Sequence, residues 1–155
     1  MMIGQFDEQL LKMLEKARKY CAAEERCKMA VEEKLISWGV ENGNISLIIN
    51  KLEEENFLSE KRFAELFAHS KVNQNKWGKI KIELELQNRN IPEKIISESI
   101  AGIDEEQYLK NFVWLIETKA KEWDDLDPMI RKQKLITFLS AKGYEWDLIE
   151  KYIDL

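Results

Sequence analysis

Apolar residues recur three or four positions apart along almost the whole chain, with little of the strict alternation that a half-buried strand requires. Only two prolines and six glycines interrupt 155 residues. The pattern predicts an all-α fold. Three turn positions, Gly39, Asn90 and Gly143, bring the pattern into register with itself. Eight residues before each turn stand Val31, Ile82 and Leu135; four before stand Leu35, Leu86 and Leu139; one after stand Val40, Ile91 and Tyr144. The following helices agree as well, with Ile95, Ile96 and Ile100 matching Leu148, Ile149 and Ile153. Leu47, Ile48 and Leu52 take the same places once three extra loop residues around "ENGN" are allowed.

The turns lie 51 and 53 positions apart, which divides the chain into tandem units of similar length. Glycine or asparagine at each turn has a physical cause, because a helix often closes on a left-handed residue that glycine reaches without strain and asparagine tolerates. Ahead of each helix pair lies a further amphipathic segment: "FDEQLLKMLEKARKYC", "SEKRFAELFAHSKV" and "DEEQYLKNFVWLIETKAKEW". Three helices per repeat follow, over residues 1–58, 59–103 and 104–155. Ser59 reads as an N-cap, Asp104 with Gln107 as a capping box, Pro92 as a first-turn residue, and Asp127 with Pro128 as a helix start. Stacked three-helix repeats predict an elongated, curved molecule with broad surfaces in place of deep pockets.

Composition narrows the functional classes. The N-terminus lacks the basic start and apolar run of a signal peptide, and no stretch approaches the roughly 18 apolar residues of a membrane span. A cytoplasmic protein, expected as a monomer, is the simplest reading. Cys21 and Cys27 are the only cysteines and His69 the only histidine, too few for a disulfide framework or a Cys/His zinc site. The formal charge is -5, against a surface that tracks phosphates throughout. Lys and Arg number 8 against 11 Asp and Glu in residues 1–58, 8 against 6 in 59–103 and 8 against 12 in 104–155. Only the middle repeat is positive.

No Gly-rich phosphate loop, HExxH or GxSxG sequence is present, so neither a catalytic residue nor a cofactor is expected. "EWDDLDP" reads as the acidic lead into a helix at Asp127, in preference to a cation site. His69 has no nucleophile or carboxylate at a defined spacing and reads as a surface residue. Trp38, Trp114, Trp123 and Trp146 fall within or beside apolar stripes and are expected in packing. The segment with most functional content is "NKWGKIKIELELQNRNI", residues 75–91. Lys71, just ahead of it, and Lys76, Lys79 and Lys81 within it surround Trp77 and Gly78, with no acidic residue between Lys71 and Lys81. Such a stretch is either a solvated helix start or a contact surface, with lysines meeting phosphates or acidic protein and the indole anchoring an interface. Ile80 and Leu84 are expected to hold the helix to the core.

"NFLSEKRFAELFAHSK" followed by "WGKIKIELELQNRNI" resembles the central signature of the RecX family of recombination regulators. Matching positions are Leu58, Arg62, Phe63, Ala64, Lys71, Gly78, Ile80, Glu83, Leu84 and Ile91. The likeness extends to "EEKLISWGV" in the first repeat and "RKQKLITFLSAKGYEWDLI" in the last. Departures are Ser59 and Glu60 where aspartate is usual, Lys71 where arginine is frequent, and Asn90 for glycine. The resemblance implies a tandem three-helix-repeat protein of homologous recombination, DNA repair and the SOS response. Such a protein binds the RecA recombinase, lies in the groove of its filament on DNA, and restrains ATP hydrolysis, strand exchange and filament growth. Arg62, Lys71, Lys76, Trp77, Lys79 and Lys81 are the expected partner-binding residues, with only weak direct contact to DNA. The alternative is a helix-turn-helix-like repressor acting on DNA without RecA.

Overall fold

The computed structural model describes residues 6–153. Residues 1–5, which open the N-terminal segment read above for a signal peptide, and residues 154–155 of the last repeat lie outside the described residues. The helices run α1 Glu8–Ala23, α2 Lys28–Ser37, α3 Asn42–Glu54, α4 Glu60–Asn75, α5 Lys79–Asn88, α6 Glu93–Ala101, α7 Glu105–Glu122, α8 Pro128–Lys142 and α9 Trp146–Tyr152. No strand occurs among the described residues. The all-α reading holds, and the helices follow one another in the expected threes.

The turn alignment is confirmed in the backbone. Gly39 has φ 83°, Asn90 φ 58° and Gly143 φ 96°, all left-handed, and the residues eight and four positions ahead of each turn are buried. The helix starts are as read, with two corrections. Asp104 accepts hydrogen bonds from the backbone N–H groups of Glu106 and Gln107. The Gln107 side chain does not return to close a capping box; it donates forward to Asn111 Oδ1 at 2.8 Å, because Asn111 is buried and needs that partner. Pro92 sits at the N-cap of α6, one residue before its first turn. Ser59 Oγ accepts from Arg62 N–H at 3.2 Å, and Asp127 caps α8 with Pro128 inside its first turn.

The chain forms two compact units: residues up to Ala64 together with Arg89–Ile91, and Glu65–Asn88 together with Pro92 onward. In the first, Leu10, Leu14, Ala17 and Cys21 form one stripe of α1 and meet Val31 and Leu35 of α2 and Ile45, Ile48, Ile49 and Leu52 of α3. Arg18 closes this bundle with a paired hydrogen bond to Glu55, Nε to Oε1 at 2.8 Å and Nη2 to Oε2 at 2.7 Å. That bonding holds the Glu55 carboxyl below the usual carboxylate range. Cys27 stands at the N-cap of α2 without a side-chain bond. Glu60 substitutes for it by accepting from Lys28 N–H at 2.7 Å. Cys21 and Cys27 are buried free thiols, and burial pushes both pKa values up, away from reactive thiolate.

The second unit is held by a backbone joint. Gly78 N–H donates to the Lys142 carbonyl at 2.7 Å and Ile80 N–H to the Gly143 carbonyl at 2.9 Å. Free N–H groups at the start of α5 thus satisfy free carbonyls at the end of α8. The approach is so close that a Cβ on Gly78 would lie 2.2 Å from the Gly143 carbonyl carbon, and one on Gly143 would lie 2.3 Å from Lys81 Cβ. Tyr144 and Tyr108 complete the joint: Tyr144 hydroxyl donates to the Lys76 carbonyl at 2.8 Å, while Tyr108 hydroxyl accepts from Lys79 N–H at 2.8 Å and donates to Glu145. Phe112 packs on Tyr144 and Tyr152 beneath them.

Burial raises the pKa of both Tyr108 and Tyr144, and the bond to Glu145 raises that of Tyr108 further. An acid whose pKa is raised by folding keeps its proton in the native state after the unfolded chain has lost it. Its stabilising contribution is therefore complete below the ordinary tyrosine value of 10.0 and lost as pH rises beyond it. Chemical denaturation followed between about pH 8 and about pH 11 should show this contribution steady at the lower end and falling once the pH passes the ordinary tyrosine value. Tyr108→Phe should be less stable at the lower end and show a shallower fall. An equal slope in the variant would remove Tyr108 as the cause.

Candidate functional site

The basic segment begins where α4 ends. Lys76 adopts a left-handed φ of 55°, which stops α4 and lets Trp77 N–H return to the Lys71 carbonyl at 3.0 Å. Trp77 then lies edge-on to Phe67, with ring centroids 6.1 Å apart. Two ammonium groups lie over its indole: Lys81 Nζ at 4.3 Å and Lys71 Nζ at 4.8 Å from the ring centroid. Each gains from the negative face of the ring.

Four of the six expected residues therefore occupy one place: Lys71, Trp77 and Lys81 directly, and Lys76 through the same turn. Lys79 differs. Its ammonium pairs with Glu105 and lies 4.8 Å from the Tyr108 ring centroid, so it faces inward on the joint described above. Arg62 belongs to the first unit. Its Nε pairs with Glu25 at 2.9 Å and its Nη2 donates to the Asn56 carbonyl at 2.8 Å, which commits the guanidinium to internal bonds.

Two sequence expectations about packing are overturned here. Ile80 and Leu84 are 52% and 55% exposed, while Ile82 and Leu86 are fully buried. Both pairs have helical spacing, but only the second points at the core. Trp114 and Trp146 are also outward, 51% and 48% exposed. On α7 the buried stripe is Tyr108, Asn111, Phe112 and Leu115, and Trp114 falls beside it. Its ring instead receives the Lys76 ammonium at 4.7 Å.

The third repeat extends this surface in a way the local sequence does not reveal. Lys119 Nζ lies 4.8 Å from the Phe138 centroid and 5.4 Å from that of Trp123, and Lys134 Nζ lies 5.1 Å from Trp123. Lys142 Nζ donates to the Asn75 carbonyl at 3.0 Å. Burial lowers the pKa of Lys142, and the neighbouring charges of Lys81, Lys76 and Lys119 lower it further. Four lysines from α4–α5, α7 and α8 thus share one positive field. These residues are scattered over the sequence, and no local pattern groups them. His69 is exposed and interacts with Asn73 at 2.9 Å. No cluster of His, Cys, Asp or Glu able to hold a metal occurs among the described residues. No described helix is long and apolar enough to cross a membrane.

Comparison with known proteins places both repeats of this surface. Residues 59–100 match the family description "RecX, second three-helix domain", and residues 105–153 match "RecX, third three-helix domain". The regulatory protein RecX of Bacillus thuringiensis (strain Al Hakam) is 29% identical over 145 residues, covering 94% of this chain and 54% of the relative. The chain thus spans about half the length of the curated relatives it matches. The crystal structure of RecX from Lactobacillus salivarius superposes with a TM-score of 0.83 at 25% identity, covering 92% of each chain. A second crystal structure, of a regulatory protein RecX, gives a TM-score of 0.86 at 18% identity over 94% of this chain and 71% of the other.

Proposed function

The chain belongs to the RecX family of regulatory proteins, and from that premise we propose that it binds the RecA recombinase and its filament on DNA. In this reading it modulates the filament, mostly by inhibiting ATP hydrolysis, strand exchange and growth, without chemistry of its own. The observation that carries the reading is the family match across residues 59–100 and 105–153. Those segments contain the whole lysine and aromatic surface, from Lys71 to Lys142. Binding of this kind alters a filament only by favouring one of its states over another, so the chain must bind an inactive or capped state better than the active one.

A repressor reading its own DNA site would need a basic outward face on the helix after each turn. Those helices are acidic or nearly balanced outside: Glu54 is exposed on α3, Glu93 and Glu98 beside Lys94 on α6, and Asp147 and Glu150 beside Lys151 on α9. The RecA reading is the better supported.

The test is the DNA-dependent ATPase rate of the cognate RecA with increasing amounts of this chain, with filament co-sedimentation in the same samples. The rate is expected to fall at substoichiometric protein, with the chain in the pellet. An unchanged rate with no co-sedimentation would leave the architecture standing and remove the function.

A further inference from the structure

We propose that the outward edge of α5, formed by Ile80 and Leu84 beside Lys81, docks an acidic segment bearing aliphatic side chains on the protein partner. The proposal rests on the RecA reading above and specifies the chemistry by which that partner would be recognised.

Single exposed aliphatic residues are ordinary on protein surfaces. These two are paired by helix geometry and by their setting. Leu84 stands four residues after Ile80 and three after Lys81, so on α5 it lies between them. The helix core is already supplied by Ile82 and Leu86. Nor does the repeat itself demand an apolar pair there: the equivalent positions are Met29 with Glu33 in the first repeat and Gln133 with Thr137 in the third.

Charge defines the occupant. Lys71 and Lys81 converge on Trp77 and have no ion-pair partner among the described residues, whereas Lys79 is paired with Glu105 and Lys119 with Glu122. The uncompensated charge sits beside Ile80 and Leu84 in a chain whose formal net charge is -5. Glu83 and Glu85 border the strip further along α5, which confines the attraction to its N-terminal end. An acidic segment complements the lysines there, and its aliphatic side chains complement the strip. A nucleic acid fits less well. A base would have to displace the ammonium groups over Trp77 in order to stack, and a phosphate backbone has no use for exposed isoleucine and leucine.

The experiment replaces Leu84 with a benzophenone-bearing residue in the full chain. The chain is irradiated with RecA filaments on single-stranded DNA, and the adduct is identified by mass spectrometry. The expected adduct lies on a stretch of the recombinase where aspartate or glutamate neighbours aliphatic residues. Ile80→Asp and Leu84→Asp, each with unchanged helicity, are expected to weaken co-sedimentation about tenfold, and Leu84→Met is expected to retain it. An adduct to DNA, to a basic or uncharged stretch of the recombinase, or to a second copy of this chain would overturn the proposal. So would sedimentation that is indifferent to both aspartate variants. If the wild-type chain never enters the pellet, the functional reading itself fails and this inference fails with it.

Discussion

Alanine at Gly78 is expected to destabilise the second unit by about 3 kcal/mol or more, and to lower its melting temperature by at least about 10 °C. The new methyl group would fall 2.2 Å from the Gly143 carbonyl carbon and 2.3 Å from Tyr144 N. These are backbone atoms, unable to rotate away as a side chain would. Relief requires α5 to separate from the end of α8, breaking the bonds to the Lys142 and Gly143 carbonyls and moving the hydroxyls of Tyr108 and Tyr144 off their partners. Gly43→Ala supplies the control, since a Cβ there meets nothing within 4 Å. Thermal melts with native-state hydrogen exchange would separate the cases. If Gly78→Ala melted like Gly43→Ala, the close joint would be refuted.

The combined variant Lys76→Glu and Lys81→Glu is expected to weaken binding to the RecA filament by at least about tenfold while leaving helicity unchanged. Reversal at these two positions removes the Lys76 ammonium from Trp114, one of the two ammonium groups over Trp77, and two of the charges that depress the Lys142 pKa. Lys79 is left alone deliberately. A carboxylate there would face Glu105 and disturb the Tyr108 network, so lost binding could reflect lost structure. Co-sedimentation over a series of chain concentrations, with circular dichroism of the same preparations, is the measurement. Binding equal to wild type would exclude the lysine surface as the contact.

The repeat was legible in the sequence because its punctuation is conformational: Gly39, Asn90 and Gly143 each occupy a left-handed turn that few other residues tolerate. Counting back from those turns put Ile82 and Leu86 at the repeated apolar positions, and these are the residues of α5 that are buried. Assigning Ile80 and Leu84 to the core failed because two stripes spaced four residues apart coexist on α5, and periodicity alone does not say which faces inward. Trp114 misled for a related reason. A tryptophan next to an apolar stripe suggests packing, but its neighbour here is the ammonium of Lys76. For the candidate surface, Lys71, Lys76, Trp77 and Lys81 are close in sequence and could be read as a group. Lys119, Lys134 and Lys142 could not, since only the folding of α7 and α8 brings them to the aromatic rings. Arg62 and Lys79 carried the right charge, but their partners, Glu25 and Glu105, are remote in sequence.

The main-chain joint of the second unit also bears on the order in which the molecule can be built. Tyr144 and Lys76, which clasp across it, are 68 residues apart. A growing polypeptide that has completed α4, α5 and α6 still lacks the α8 carbonyls and the tyrosine hydroxyl that fix the start of α5. The first unit draws its core from α1, α2 and α3, and that core can assemble as those helices emerge, before Arg89–Ile91 joins it. The second must wait until α8 has left the ribosome, and its folding carries the slower kinetics of distant contacts. Synthesis would thus pass through an interval in which the stretch that matches the second three-helix domain exists as sequence before it exists as structure.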